Sequence, residues 1–509
     1  MLEGQKVIAA GEMARIEKLA YAEGASEVEF MEKAGEGIAK AAEDFIASHN
    51  LDKQVVLLAG KGNNGGDAYV AGRHLVSKGF SVIAFHLDPL DSCGPLCKKQ
   101  SEQFKSAGGK CHLIEKGKEV PFPKSGIILD GIVGTGFKGK AEGVMAHAIE
   151  QANHACLPIL AIDIPSGVNG NTGAVEGVAI QAEQTIYLGL PKLGFYIGEG
   201  WNHVGELVHV DFGLAQKFVE QAEGKAYLLD EENLHCLFPP LKRNRHKYDA
   251  GYVLAVAGSS GLGGAALLSS FAALRSGAGI IRLFYPEEME EELGRAPLEL
   301  VKEAWDFQNF ARIYKECKRA RSMLIGPGLG RSKETEKMLK KLLANLPLPC
   351  VIDADALFFL SKHLSWELPE HTILTPHRKE MERLLAFKSN SYMDDISFHT
   401  LCQKFAEQKK VTIVLKGGPT FVFHPGTLPM IITRGTPGLA TAGTGDVLTG
   451  VIAALLAQRM DARSAAIAGS ALHGMAGEIA SFQKTPYCMV ASDVIDNLPE
   501  AFYQVFSNL

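Results

Sequence analysis

No stretch of this 509-residue chain is apolar enough to cross a membrane as a helix. The longest run, Val447 to Ala457, is interrupted by Thr449 and Gly450 and stops well short of the roughly 20 residues a span needs. Basic charge is not in excess: Lys and Arg total 52 against 58 Asp and Glu, a net charge of −6. That balance gives no general pull toward nucleic acid or anionic lipid, so an anionic ligand must be held by local groups. Paired cysteine is missing as well. The nine cysteines (Cys93, Cys97, Cys111, Cys156, Cys236, Cys317, Cys350, Cys402, Cys488) are scattered, odd in number and without a CxxC pair. This argues against a zinc site or a disulfide framework and for a reducing compartment. Met1-Leu2-Glu3-Gly4-Gln5 has no basic start before an apolar core, and the expected location is the cytoplasm. A Walker A pattern GxxxxGK[ST] is also absent, so any ATP or ADP is bound without a P-loop.

What is present is a soluble globular composition, 46% hydrophobic and 22% charged. At about 150 residues per domain, the length implies two to four domains. Residues Met13 to His49 carry apolar groups at helical spacing, among them Ile38, Ala41, Ala42, Phe45 and Ile46. Short apolar runs then alternate with helical segments: Val55 to Ala59, Val82 to Phe85, Ile127 to Leu129, Ile159 to Ile162 and Thr185 to Leu188. Such runs read as buried parallel strands of a doubly wound α/β sheet, whose ligands sit at the carboxyl ends.

The loops after those strands are chemically loaded. Gly60 to Asp67 combines four glycines with Asn63, Asn64 and Asp67, so backbone can approach a ligand closely while amides and a carboxylate point at it. Asp130 to Gly139 contains Gly134, Gly136 and Gly139 in a GxGxxG spacing. It follows the third predicted strand, not the first, and no acid follows at a strand end about 20 residues on, so it reads as phosphate-cradling but not as a dinucleotide fingerprint. Asp163-Ile164-Pro165-Ser166-Gly167 fixes a carboxylate and a hydroxyl in a proline-containing turn. Asn64, Asp130 and Ser166 supply hard oxygen ligands suited to an alkali or alkaline-earth ion; equally, they can tie their own turns together.

Ala10 to Met13, Met31 to Gly35, the Asn63 to Asp67 loop, Asp130 to Gly139, Asp163 to Gly167 and Pro191-Lys192 together resemble the NAD(P)H-hydrate epimerase domain. The resemblance implies a Rossmann-like three-layer domain over residues 1–218 that interconverts the C6 epimers of hydrated NADH and NADPH. It further implies that Asn63, Asn64, Gly65, Gly66, Asp67, Gly134, Thr135, Gly136, Phe137, Lys138, Gly139, Lys140 and Asp163 contact the damaged nucleotide, and that Asn64, Asp130 and Ser166 hold one potassium ion. Asp163 is the candidate acid/base, because the substrate carbon bears both a hydroxyl and the ring nitrogen.

The polar stretch Gln216 to Gly224 reads as the junction, without a long linker, and a second α/β series follows. Its predicted strands are Tyr252 to Ala257, Ile280 to Phe284, Met323 to Ile325, Cys350 to Ile352, Thr372 to Leu374 and Val411 to Leu415. Polar or glycine-rich ends, Gly258 to Ala266, Gly326 to Gly330, Asp353 to Leu357, Thr375-Pro376-His377 and Lys416 to Thr420, converge on one sheet edge as a nucleotide cleft. Lys416 suits a phosphate neighbour and Thr420 adds a donor; His377, taken alone, reads as a satisfied core histidine. Finally, Gly443-Thr444-Gly445-Asp446 precedes the apolar run Val451 to Leu456 and reads as a loop opening a buried helix, an anion site. Asp446 there would repel phosphate unless it serves as a base aimed at a neighbouring hydroxyl; the plain alternative is a helix cap.

These residues together resemble the ribokinase-like, ADP-dependent NAD(P)H-hydrate dehydratase, over residues 225–509. The resemblance implies that Ala265, Gly330, His377 and Asp446 face the hydrate. It places ADP against Lys416, Gly417, Gly418, Pro419, Thr420, Gly443, Thr444 and Gly445, with magnesium accompanying the nucleotide, and it makes Asp446 the base that activates the C6 hydroxyl. Two positions depart from the family pattern: Lys379 stands two residues after His377 where glycine is usual, and Tyr248 follows His246-Lys247 where glycine is usual. Competing readings are a vitamin hydroxymethyl kinase, which has no use for an epimerase, and a nucleotide-sensing scaffold, which has no use for a base beside an anion hole. A homo-oligomer is expected.

Overall fold

The computed structural model describes residues 3–115, 117–387 and 393–507. It falls into two compact units: Gln5–Ala226, and a second made of Tyr227–Leu509 with the first residues up to Gly4. The stretch read as the junction contains a short helix, Gln216–Glu220, and leads into Gly224–Leu229, a strand of the second sheet.

The first unit is built on a seven-stranded parallel sheet in the spatial order Lys110–Leu113, Ser81–His86, Gln54–Ala59, Ile127–Gly131, Ile159–Ile162, Gln184–Leu188, Glu206–Val210. Because strand side chains alternate, Val55, Leu57 and Ala59 enter one core with Ile38, Phe45, Ala68 and Phe104, while Val56 and Leu58 enter the other with Ala148, Ile149 and Ala152. Helices therefore cover both faces, and the ligand edge is left at the carboxyl ends of the strands. The Lys110–Leu113 strand, absent from the sequence reading, makes Ile127–Gly131 the fourth strand of this sheet in chain order.

In the second unit six strands run parallel in the order Ile373–Leu374, Cys350–Ile352, Ser322–Ile325, Tyr252–Val256, Ile280–Tyr285, Val301–Ala304, and Thr412–Leu415 joins them beside Ile373–Leu374. Thr420–Phe423 then turns back antiparallel on Thr412–Leu415, so Lys416 to Pro419 is the turn of a hairpin. Met430–Ile432, Gly224–Leu229 and the start of Glu3–Ile8 continue that side. The helix Thr444–Ala457 is buried on nearly all sides and crosses Gly263–Arg275 closely: a Cβ on Gly450 would stand 2.0 Å from the Ser269 carbonyl oxygen. Ser322 Oγ donates to the Ala453 carbonyl at 2.7 Å, tying that helix to the sheet.

Candidate active sites

In the first unit, the chain leaves the Gln54–Ala59 strand at Gly60 and enters the Asn63–Ser77 helix at once. This needs backbone at contact distance, since a Cβ on Gly65 would lie 2.0 Å from Gly60 O and one on Gly60 1.9 Å from Ile132 O. Above this turn is a cavity of about 770 Å³ whose lining includes Asn63, Asn64, Asp67, Gly134 to Lys138 and Asp163. Of the residues expected at the nucleotide, Gly65, Gly66, Gly139 and Lys140 are not on its wall. Gly65 and Gly66 lie buried in the first turns of the helix, and Lys140 bridges to Glu176.

Asp163 holds a left-handed backbone conformation (φ 66°), uncommon for a side chain other than Asn or Gly. Its Oδ1 accepts from Lys192 Nζ at 2.5 Å, and the same ammonium donates to the Leu188 carbonyl at 3.0 Å. Lys192 is 0% exposed. The other oxygen, Oδ2, faces the Gly134 turn, where a Cβ would be 3.5 Å from it and from Asn64. Asp67 is buried, and burial, reinforced by the charges of Asp163 and Glu17, pushes its carboxyl well above the usual carboxylate range. Glu17, from the Ala10–Ala22 helix, also lines the cavity; burial lifts it to about 7, with Asp163 adding and Lys192 opposing. Neither Glu17 nor the role of Lys192 was read from the sequence. A lysine following a strand and a glutamate in an amphipathic helix give no local signal.

The three oxygen-bearing residues expected to hold a cation do meet. Asn64 Nδ2 and Ser166 Oγ both reach the Val133 carbonyl, at 3.0 and 3.3 Å, and Ser166 Oγ donates to Asp130 Oδ1 at 2.6 Å. Asp130 is 0% exposed, and burial raises it to about 6 against the hydrogen bonds from Ser166 and Ile132. A buried carboxylate ringed by a hydroxyl, an amide and a carbonyl is the donor set a hard monovalent cation takes.

In the second unit, Gly443 (φ 94°) caps the Thr444–Ala457 helix, and Asp446 sits in its first turn without capping it. The first intrahelical bond is the one from Val447 N to Gly443 O, which leaves the N–H groups of Gly445 and Asp446 to an incoming anion. The Thr444 hydroxyl is already committed to Leu439 O and Thr441 O. Buried His473, lowered to about 4 by desolvation, contacts the Thr444 carbonyl through Nε2 at 2.9 Å and braces the turn. Lys416 donates to Asp353 Oδ1 at 2.8 Å, and Thr449 Oγ1 donates to Asp353 Oδ2 at 2.7 Å. Asp353 thus ties the Lys416 turn to the helix that carries Asp446. Desolvation works against the Lys416 charge, but Asp353 and Glu380 outweigh it and hold the ammonium above its usual value. Asp446 is raised to about 7 by burial, with Asp353 and Asp355 adding and Lys416 opposing. Gly330 N donates to Asp355 Oδ2 at 3.0 Å, and Ala265 packs near Gly328. His377 is not a core histidine: its side chain is 51% exposed and it caps the Arg378–Leu384 helix in a capping box with Glu380. Lys379 is exposed, and Tyr248 bonds to Arg319 away from this edge.

Two α/β units, one with a carboxyl-lined cavity and one with a buried carboxyl beside unpaired N–H groups at a helix end, have the layout of a two-site enzyme. The comparisons agree. Residues 253–500 match the family model described as NAD(P)H-hydrate dehydratase, and residues 27–194 match that of the YjeF-related protein N-terminus. The bifunctional NAD(P)H-hydrate repair enzyme of Moorella thermoacetica is 33% identical over 97% of this chain and 96% of its own length. That of Escherichia coli is 33% identical over 87% and 84%. An ADP/ATP-dependent NAD(P)H-hydrate dehydratase of Bacillus subtilis, solved with ATP and Mg2+, covers 54% of this chain and 97% of its own, at 26% identity and a TM-score of 0.47. The chain belongs to the family of bifunctional NAD(P)H-hydrate repair enzymes.

Proposed function

We propose that the first unit interconverts the R and S C6 epimers of hydrated NADH and NADPH, and that the second dehydrates the S epimer at the expense of ADP. The observation that carries the second step is Asp446, a carboxyl titrating near 7 within a turn whose N–H groups face outward. As a base it takes the proton of the C6 hydroxyl, whose oxygen then attacks the terminal phosphoryl group of ADP, releasing AMP. The ring nitrogen expels the phosphate, a far better leaving group than hydroxide, to leave an N1=C6 iminium, and loss of the C5 proton to solvent then forms the C5=C6 bond and restores NAD(P)H. The N–H groups of Gly445 and Asp446 receive the phosphates beside Gly443 and Thr444, and the Lys416 to Thr420 turn supplies positive charge and a hydroxyl.

Asp163 in the first cavity carries the acid/base role in epimerisation. Asn64, Asp130 and Ser166 are the residues that would hold potassium, which supplies fixed positive charge beneath the Gly134 turn when bound. Magnesium accompanies the nucleotide, and the protein works as a cytoplasmic homo-oligomer. The test is to mix the full chain with both epimers of hydrated NADH and follow reduced-nicotinamide absorbance. Full recovery with ADP and none without it is expected; recovery of one epimer only would remove the epimerase half, and no recovery would remove the proposal.

A further inference from the structure

Two of the carboxyls on the first cavity's wall, Asp163 and Asp67, have opposite surroundings. Asp163 is paired at Oδ1 with a lysine that solvent does not reach, while its Oδ2 is left toward the Gly134 turn. Asp67, one helical turn into Asn63–Ser77, also lines the cavity, and among the described residues no cation stands beside it and no hydrogen bond holds its charged form. The ionisable groups bearing on it are Asp163, Glu17, Tyr21 and, from the Pro95–Ser106 helix, Cys97. One carboxyl held by a fixed cation and a second without one is the arrangement of a base and an acid sharing one site.

Building on the epimerase reading above, we propose that Asp163 and Asp67 divide the epimerisation between them, with Lys192 as the residue that positions Asp163. Asp163 takes the hydroxyl proton through Oδ2. The O–H electron pair becomes the second bond of a C6 carbonyl as the C6–N1 bond breaks, and N1 keeps that pair and receives the proton of Asp67. The product is an open-chain aldehyde with an N–H at the former ring nitrogen, and nothing is oxidised or reduced. Rotation about C5–C6 presents the other face, and the same two groups run the steps in reverse. Lys192 does not touch the substrate; by fixing Oδ1 it selects which oxygen of Asp163 meets the hydroxyl. The raised proton affinity of Asp67 is consistent with a carboxyl that enters the cycle protonated.

The route is tested first on the unaltered protein, by running epimerisation in water enriched in oxygen-18. Breaking C6–N1 leaves the original oxygen on carbon in most turnovers. One solvent oxygen gained per epimerisation means that C6–O breaks instead and overturns the scheme. A protein that does not interconvert the epimers at all refutes the underlying epimerase reading, a separate outcome. Asp67→Asn should lower the epimerisation kcat about 100-fold with little change in KM and remove the alkaline limb of the pH profile. Glu17→Gln should cost only a few-fold; a larger loss than Asp67→Asn gives the acid role to Glu17. Lys192→Met should lower kcat about tenfold or more at similar KM, and Lys192→Arg, which keeps the donor, should recover part of it. Wild-type kcat in a folded Lys192→Met chain removes the positioning role. If that chain does not fold, unchanged kcat and pH profile in Asp67→Asn still refute the division of labour.

Discussion

The two sites handle a carboxylate in a low-dielectric place in opposite ways. In the first, one lysine is spent wholly on Asp163, and the neighbouring Asp67 goes without; the walls close around a cavity of about 770 Å³. In the second, Lys416 and Asp353 neutralise one another and Asp446 stands beside the pair, with the glycines of its turn partly open to solvent. The difference follows from what each reaction must bring. Epimerisation has a single substrate that carries every reacting atom, so the protein need supply only the two proton partners. Dehydration through phosphoryl transfer needs a second molecule, and the open edge with unpaired N–H groups is completed by that molecule's phosphates.

The contrast can be broken most sharply at Asp446. Asp446→Asn should lower dehydration about 10³-fold while ADP still binds and epimerisation is unchanged, read by nicotinamide absorbance and nucleotide titration; a parallel fall in epimerisation would show that the sites do not work separately. Asp163→Asn should have the complementary effect, an epimerisation rate about 100-fold lower with dehydration of the S epimer intact. Glycines sharpen the comparison next. Gly65→Ala forces a Cβ into the Gly60 carbonyl and should cost about 2 kcal/mol, seen as a lower Tm and a lost epimerase. At Gly445 the nearest atom to an added Cβ is Lys416 Nζ at 3.4 Å, so Gly445→Ala should leave Tm alone and raise the KM for ADP. The smallest effect is in pH. With Asp446 near 7, dehydration should fall up to tenfold per unit below pH 7 as the base is protonated. Stability runs the other way: a carboxyl whose folded value is raised favours the folded state when protonated. That contribution is full below about pH 4 and fades as pH rises through 7, so Asp446→Asn should gain Tm relative to the parent at alkaline pH.

Much of this was legible before any coordinates. The central strands were, because burial on both faces makes continuous apolar runs such as Val55 to Ala59, and so were the loops that follow them. The strands Lys110–Leu113, Glu206–Val210 and Val301–Ala304 were not: each lies at a sheet edge, half wet, with two polar or charged residues that break up its apolar pattern. The hairpin strand Thr420–Phe423 was read as part of a phosphate turn. Candidate bases were visible because Asp446 and Asp163 sit in glycine-rich loops. Their partners were not, since Lys192 reaches Asp163 across 29 residues and Thr449 reaches Asp353 across 96. His377 misled because, from sequence alone, a cap and a core histidine look the same.

Gly450 lets two helices meet backbone to backbone, with the Ser322 hydroxyl pinning the far end of one of them to the sheet. The amides of Val451 to Ala457 should therefore be among the slowest in the protein to exchange with deuterium. Asp446, in the first turn of that helix, is therefore carried on one of the last parts of the unit to open.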